Sequence, residues 1–147
     1  MKKSDWYENR ILWRAGKLHL ETYAWQHFLL SNEQPARKVL EAVGGYGVPL
    51  FIFWLSDDVW TLLTNQFLVG KLGGVLSSVD LDKLAEVSTV NDKDLPPDQL
   101  KRRAEFISAG GDRKNFWTPA GNVHFSLRNI LGMFPIRGQF KNPAQLV

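Results

Sequence analysis

Val59–Val90, VWTLLTNQFLVGKLGGVLSSVDLDKLAEVSTV, is the most readable stretch of the chain. Val59 to Val69 is rich in β-branched, aromatic and aliphatic residues, which suit a pleated, buried surface. Thr64-Asn65 in its centre marks a bend or bulge. Lys71 to Gly74 is a turn, because paired glycines accept the positive φ that tight hairpins require. Val75 to Val79 reads as the next strand. Leu84 to Val90 alternates, with Leu84, Glu86, Ser88 and Val90 on one face and Ala85, Val87 and Thr89 on the other. A helix over Leu81 to Val87, started by Asp80, is the competing reading.

Upstream, Val48 to Leu55 (VPLFIFWL) is short, apolar and rich in aromatics, as a buried strand is. Ser56-Asp57-Asp58 is the polar turn between it and Val59. Before it, Ser31 or Asn32 caps a helix with Pro35 in its first turn. Val39, Leu40 and Val43 form the apolar stripe of that helix, and Gly44-Gly45 ends it. Residues 4–30 read as helical from a Ser4 or Asp5 cap, with Leu12, Trp13, Leu18 and Leu20 among the recurring apolar positions and Gly16 a break point. Residues 17–30 fit a helix or a strand equally, since Leu18, Leu20 and Thr22 also alternate.

Downstream, NDKDLPPD (91–98) is a loop whose adjacent prolines exclude a central strand. Lys101 to Ile107 is a fifth strand, Gly110-Gly111-Asp112 a turn and Lys114 to Thr118 a sixth. Val123 to Phe125 is a seventh. Ser126 then caps a helix through Phe134, with Leu127, Ile130, Leu131 and Phe134 at helical spacing and Pro135 as its stop. Residues 135–147 lack periodicity and read as a mobile tail.

The composition sets limits. A chain of 147 residues, 44% apolar, suits one core with an added element. No Cys is present, which removes disulfides, thiolate catalysis and thiolate zinc sites and points to a cytoplasmic location. MKKSDWYENR has no apolar run behind its lysines, so it does not read as a signal peptide. No stretch is long enough for a transmembrane helix. The charge is uneven. Residues 1–100 carry 10 Lys/Arg against 13 Asp/Glu, a net −3, and residues 101–147 carry 8 against 2, a net +6. The basic third invites an anionic partner.

Seven short strands followed by an amphipathic helix resemble the pleckstrin-homology superfold, and in particular bacterial pleckstrin-homology-like and GRAM-type domains. Thr61 to Val69, with its Leu-Thr-Asn, is similar to one of their strands. Val79 to Val87 resembles the entry to the following strand, and Gly121 to Met133 the last strand and plug helix. The resemblance covers about residues 48–134. It implies a seven-stranded bent antiparallel barrel closed by a C-terminal helix; residues 1–47 lie outside it and are expected to be a helical extension, so the whole reads as α+β. It also implies a binding module rather than an enzyme. Two departures stand out. Lipid-binding members hold Lys and Arg beside the first hairpin loop, where this chain has Ser56-Asp57-Asp58, whose carboxylates repel phosphate. Gln66 stands where bacterial forms often carry Arg.

No chemistry-bearing constellation emerges. His19, His27 and His124 lack the spacing of a metal site, and neither a metal nor a cofactor is expected. Asp57-Asp58, Asp80/Asp82 and Asp92/Asp94 read as turn and strand-end residues. Gly70 to Gly74 lacks the Gly-Lys-Ser/Thr ending of a phosphate loop. The best binding candidates are Lys101, Arg102, Arg103, Arg113 and Lys114, with Trp117 beside them. The expected function is a non-enzymatic binding or scaffold module for a protein partner, or one that self-associates, using an exposed strand edge or an aromatic anchor. A membrane-peripheral module binding anionic lipid through the basic patch is the second reading. A small-ligand or enzymatic domain is the third, and nucleic acid ranks below the protein and lipid partners.

Overall fold

The structure is a computed structural model that describes residues 2–18, 34–84, 87–89, 105–110, 114–119 and 121–134. In chain order these form α1 (Lys3–Lys17), α2 (Gln34–Ala42), β1 (Pro49–Ser56), β2 (Val59–Thr64), β3 (Phe67–Leu72) and β4 (Val75–Asp80). A 3₁₀ turn (Leu81–Lys83) follows, then β5 (Val87–Thr89), β6 (Glu105–Ala109), β7 (Lys114–Thr118) and α3 (Asn122–Leu131). The fold is α+β. Its strands lie in two antiparallel sheets, ordered β1-β2-β3-β4 and β5-β6-β7.

The expected single seven-stranded barrel is therefore not what forms. Among the described residues no ladder joins β4 to β5 or β1 to β7. The reason lies where the chain leaves β4. The Asp80 side chain accepts from the Asp82 N–H and caps a 3₁₀ turn, which sends Leu81 and Leu84 into the core. At the open edge of β4, the Ser78 carbonyl is taken by Lys114 Nζ at 3.0 Å. The competing helix from Asp80 thus gives way to one 3₁₀ turn, and of the fourth expected strand the described residues show Val87–Thr89.

Two further expectations change. Val59–Val69 is not one bent strand but two strands, β2 and β3, around a turn at Asn65-Gln66. Thr64 closes that turn: its Oγ1 accepts from the Gln66 N–H at 3.1 Å and the Phe67 N–H at 2.8 Å. Val123–Phe125 is not a strand. It is the first turn of α3, which begins one turn before Ser126. Gly121, at φ 79, turns the chain out of β7, and Val123 then joins Leu127, Ile130 and Leu131 on the buried face.

Helix α1 also differs in its faces. It starts at Lys2 with no side-chain cap, and Asp5 lies in its first turn, where a carboxylate meets the helix dipole favourably. Tyr7, Ile11 and Ala15, spaced i, i+4, i+8, are buried, whereas Leu12 and Trp13 are about half exposed. Residues 19–33, and with them most of the ambiguous segment 17–30, lie outside the described residues, as do the 91–98 loop and the 135–147 tail.

The first sheet is covered on both faces. Ile52, Trp60, Leu62 and Val69 pack under Ala36 and Val39 of α2 and Val43 just after it. Phe51, Phe53, Leu63 and Leu68 pack toward the second sheet, α1 and α3. That double burial explains why β2 is buried at every position and shows no polar alternation. The two sheets cross rather than align. Along β7, Lys114 meets β4 at Ser78, Phe116 sits on Gly70 of β3, and the Trp117 carbonyl accepts from Thr61 of β2. A strand that visits three neighbours in turn runs across them, as in orthogonal sheet packing.

Candidate functional site

Of the residues singled out for binding, Lys101, Arg102, Arg103 and Arg113 lie outside the described residues. Lys114 is half-buried, and its ammonium is committed to the Ser78 carbonyl. It does line a cleft of about 520 Å³ between β4 and the β6–β7 hairpin, with Lys83 on the same cleft and Asp80 opposing them. Trp117 is 2% exposed and belongs to the main core, so its ring is not at the surface.

A second cleft, of about 270 Å³, lies where α1 meets the 3₁₀ turn. Asp82, Lys3 and Tyr7 are among the residues that line it. Lys3 Nζ is 2.9 Å from Asp82 Oδ1, and the Tyr7 O–H donates to the same oxygen. Burial, and then the bond to Asp82, push the Tyr7 hydroxyl up to about 12. Burial by itself would raise Asp82, but the bonds from Tyr7 and Lys3 outweigh it and hold the carboxyl below its usual range. The bond to Asp82 raises Lys3 in turn. The three groups satisfy one another, which is what a structural tie does rather than a poised catalytic group.

The sign of the linkage follows from these directions. A lowered Asp82 gives stability above the ordinary carboxylate range, and that stability is lost as pH falls through the lowered value. A raised Tyr7 gives stability below its ordinary value of 10.0 that is lost as pH climbs to about 12. Tyr7→Phe is expected to cost about 1 kcal/mol at neutral pH, as one part-exposed hydrogen bond is worth. It should also flatten the fall in stability between pH 10.0 and about 12. Urea midpoints of both proteins across that range test this, and parallel curves would refute it.

The third cleft, of about 620 Å³, lies between β5, α3 and the end of α1. Val87 of β5, Phe125 and Met133 give it apolar walls, and Arg14 and Arg128 bring two cations from different helices. Phe125 is 57% exposed, the most of any aromatic on the described surface. The fold explains the placement. Tyr7 stacks edge-on against Phe134 at 4.7 Å, which lays α1 beside α3. Val123, Leu127 and Leu131 face inward, so Phe125 and Arg128 are left outward. Among the described residues β5 has one ladder partner, β6. No described residue pairs with its other side, and a strand side without a ladder partner can take an added strand.

Sequence reading did not single out Arg14, Phe125, Arg128 or Met133. One signal was present: Arg10, Arg14 and Lys17, at i, i+4, i+7, make a basic stripe on α1. Phe125 was hidden by its assignment to a strand. Among the described residues, no group of His, Asp and Glu is placed to hold a metal, and no helix is long and apolar enough to cross a membrane. Comparison with protein-family models, with curated proteins and with solved structures found no match to the chain.

Proposed function

We propose that the protein is a non-enzymatic binding module that takes an extended segment of a protein partner along β5, beside α3. The cleft between β5 and α3 carries this reading. It sets a strand side that has no ladder partner among the described residues next to a half-exposed Phe in a cavity of about 620 Å³. An added strand draws affinity from main-chain hydrogen bonds, while alternate side chains find pockets beside it. A solvent-facing aromatic at the rim of a cleft is the usual anchor of such contacts. The order of four strands, three strands and a helix supports reading the chain as a relative of pleckstrin-homology-like modules, with two crossed sheets and α3 in place of a closed barrel. The non-enzymatic reading draws on the polar groups, which are bonded to one another: Tyr7 and Lys3 to Asp82, Lys114 to Ser78, and Thr118 to buried His124.

Selection of random phage-displayed peptides on the full chain tests the proposal. Selected peptides should bind Phe125→Asp at least tenfold more weakly, with the melting temperature unchanged because Phe125 is exposed. Peptides that bind the variant equally well, or no selected peptide at all, would remove the reading. The second reading, a surface for anionic lipid, draws on Lys83 and Lys114 sharing the cleft between β4 and the β6–β7 hairpin. Sedimentation with phosphatidylserine vesicles at low salt, lost on Lys83→Glu, would favour it.

A further inference from the structure

We propose that α1 is a membrane-docking helix that lays a basic, tryptophan-bearing face on an anionic phospholipid surface. The face is an alternation along the helix. Lys3, Trp6, Arg10, Trp13 and Lys17 follow one another at every third or fourth position. At roughly 3.6 residues per turn, these five and Arg14 fall within an arc of about 100°. The acids Asp5 and Glu8 fall outside that arc, and Tyr7, Ile11 and Ala15 face the core. Trp13 is 49% exposed, Lys17 is exposed, and Arg10 is half-buried. The Arg10 guanidinium lies over the Trp13 ring, 4.9 Å from its centre, and Lys17 Nζ lies at 5.8 Å. Lys3 shares its ammonium with Asp82, so it adds least to the charge of the face. Arg14 and Lys17 stand in the last turn, where cations complement the helix dipole. The dipole accounts neither for Arg10 nor for a large ring held at the surface with two cations over it.

The same contacts favour lipid over nucleic acid. A base stacks on the face of an aromatic ring, and on this helix cations lie over the ring. A lipid surface makes a different demand. Indoles settle at the boundary between water and hydrocarbon, while Lys and Arg stems reach past them to phosphate. A helix with cations and Trp on an exposed face lies in the plane of such a surface. At about 1.5 Å per residue, α1 offers about 22 Å of it. The helix also lies outside residues 48–134, so it is separate from the first hairpin loop, where lipid-binding pleckstrin-homology modules hold their cations and this chain has Ser56-Asp57-Asp58. It does not depend on the β5–α3 cleft being a binding site.

The test is sedimentation of the full chain with vesicles of phosphatidylcholine, alone or mixed with phosphatidylserine. Binding should need phosphatidylserine and should fade at high salt. Arg10→Gln and Lys17→Gln should each weaken it about fivefold, the worth of one cation beside an anionic surface. Trp13→Ala should weaken it by at least as much, through the lost interfacial ring. Lys83→Glu, in the cleft beside β4, should leave it unchanged. Melting temperatures should hardly move, because the altered side chains of α1 reach the surface. If Trp13→Ala lowers folding, the two Gln variants carry the test. No sedimentation with phosphatidylserine at low salt, or binding that ignores all three α1 variants, would overturn the proposal. So would loss on Lys83→Glu alone, which would place the lipid beside β4. Binding of fluorescein-labelled oligothymidylate that needs Arg10 and Lys17, without any vesicle binding, would replace lipid by nucleic acid as the occupant.

Discussion

Phe116→Ala is expected to destabilise the protein by about 3–5 kcal/mol, the range for emptying a buried aromatic site. Phe116 is 1% exposed and lies where β7 crosses the first sheet. Its ring rests on Gly70, so close that a Cβ built there would come within 2.7 Å of Cδ1. The row Phe53, Thr61, Gly70 and Ser77 runs across the inner face of the sheet. It narrows to hydrogen at Gly70, and the ring fills that gap. Collapse around the missing ring is restricted, because the walls are two hydrogen-bonded sheets rather than mobile side chains. The urea midpoint should fall with little change in m, and the melting temperature should drop by roughly 10 °C or more. The effect should also reach the cleft. Among the described residues β5 is held through β6, and β6 through β7, so amides of Val87 to Thr89 should exchange faster in the variant. A loss under 1 kcal/mol would mean that the sheets are not joined through this ring.

The parts of this architecture that were legible in sequence are those whose chemistry is local. Gly73-Gly74 declares its turn because both residues sit at positive φ, 60 and 80. Pro35, the α2 stripe and Gly45 bound a helix with ordinary end signals. The break at Asn65-Gln66 was harder to see. The first sheet is buried on both faces, so β2 and β3 carry no polar alternation to mark where one strand stops. Val123–Phe125 misled for a related reason, since three apolar or aromatic residues fit either period. On α1, large Leu12 and Trp13 outshone smaller Ala15, although the latter faces the core.

The site was less legible than the fold. Arg14 and Arg128 are far apart in sequence and sit on different helices, so only packing brings them to one cleft. The basic cluster that sequence did offer, Lys101-Arg102-Arg103 with Arg113, falls outside the described residues, and its neighbour Trp117 went to the core. Linear charge density says where cations are frequent. It does not say which of them face a cavity beside an apolar wall.

Thr64→Val is the second large effect, and it separates two views of the same residue. As a strand position, Thr64 should welcome Val, which has equal or better β-propensity on a scale spanning about 1 kcal/mol. As a turn position it should not. Thr64 is 1% exposed. Its hydroxyl donates to the Tyr46 carbonyl at 2.6 Å and accepts from the Gln66 and Phe67 N–H groups at 3.1 and 2.8 Å. Val keeps the shape and deletes all three partners. An unpaired buried polar group costs about 1–3 kcal/mol, and Gln66 at the surface can turn to water, so the expected loss is about 2–4 kcal/mol. The neighbouring bonds raise the stakes. Asn65 exchanges backbone and side-chain bonds with Val48 at 3.1 and 3.0 Å, and the Gln66 carbonyl accepts from the Leu81 N–H at 2.9 Å. The turn thereby ties the end of α2, the start of β1 and the 3₁₀ turn to one point. Thr64→Ser keeps the hydroxyl and loses a methyl, so it should cost only about 1 kcal/mol. If Val proves as stable as Thr while Ser is the weaker of the three, burial governs position 64 and the hydroxyl contacts add nothing. If Val is the weakest, the Leu-Thr-Asn run is there for the turn it closes rather than for the strand it ends.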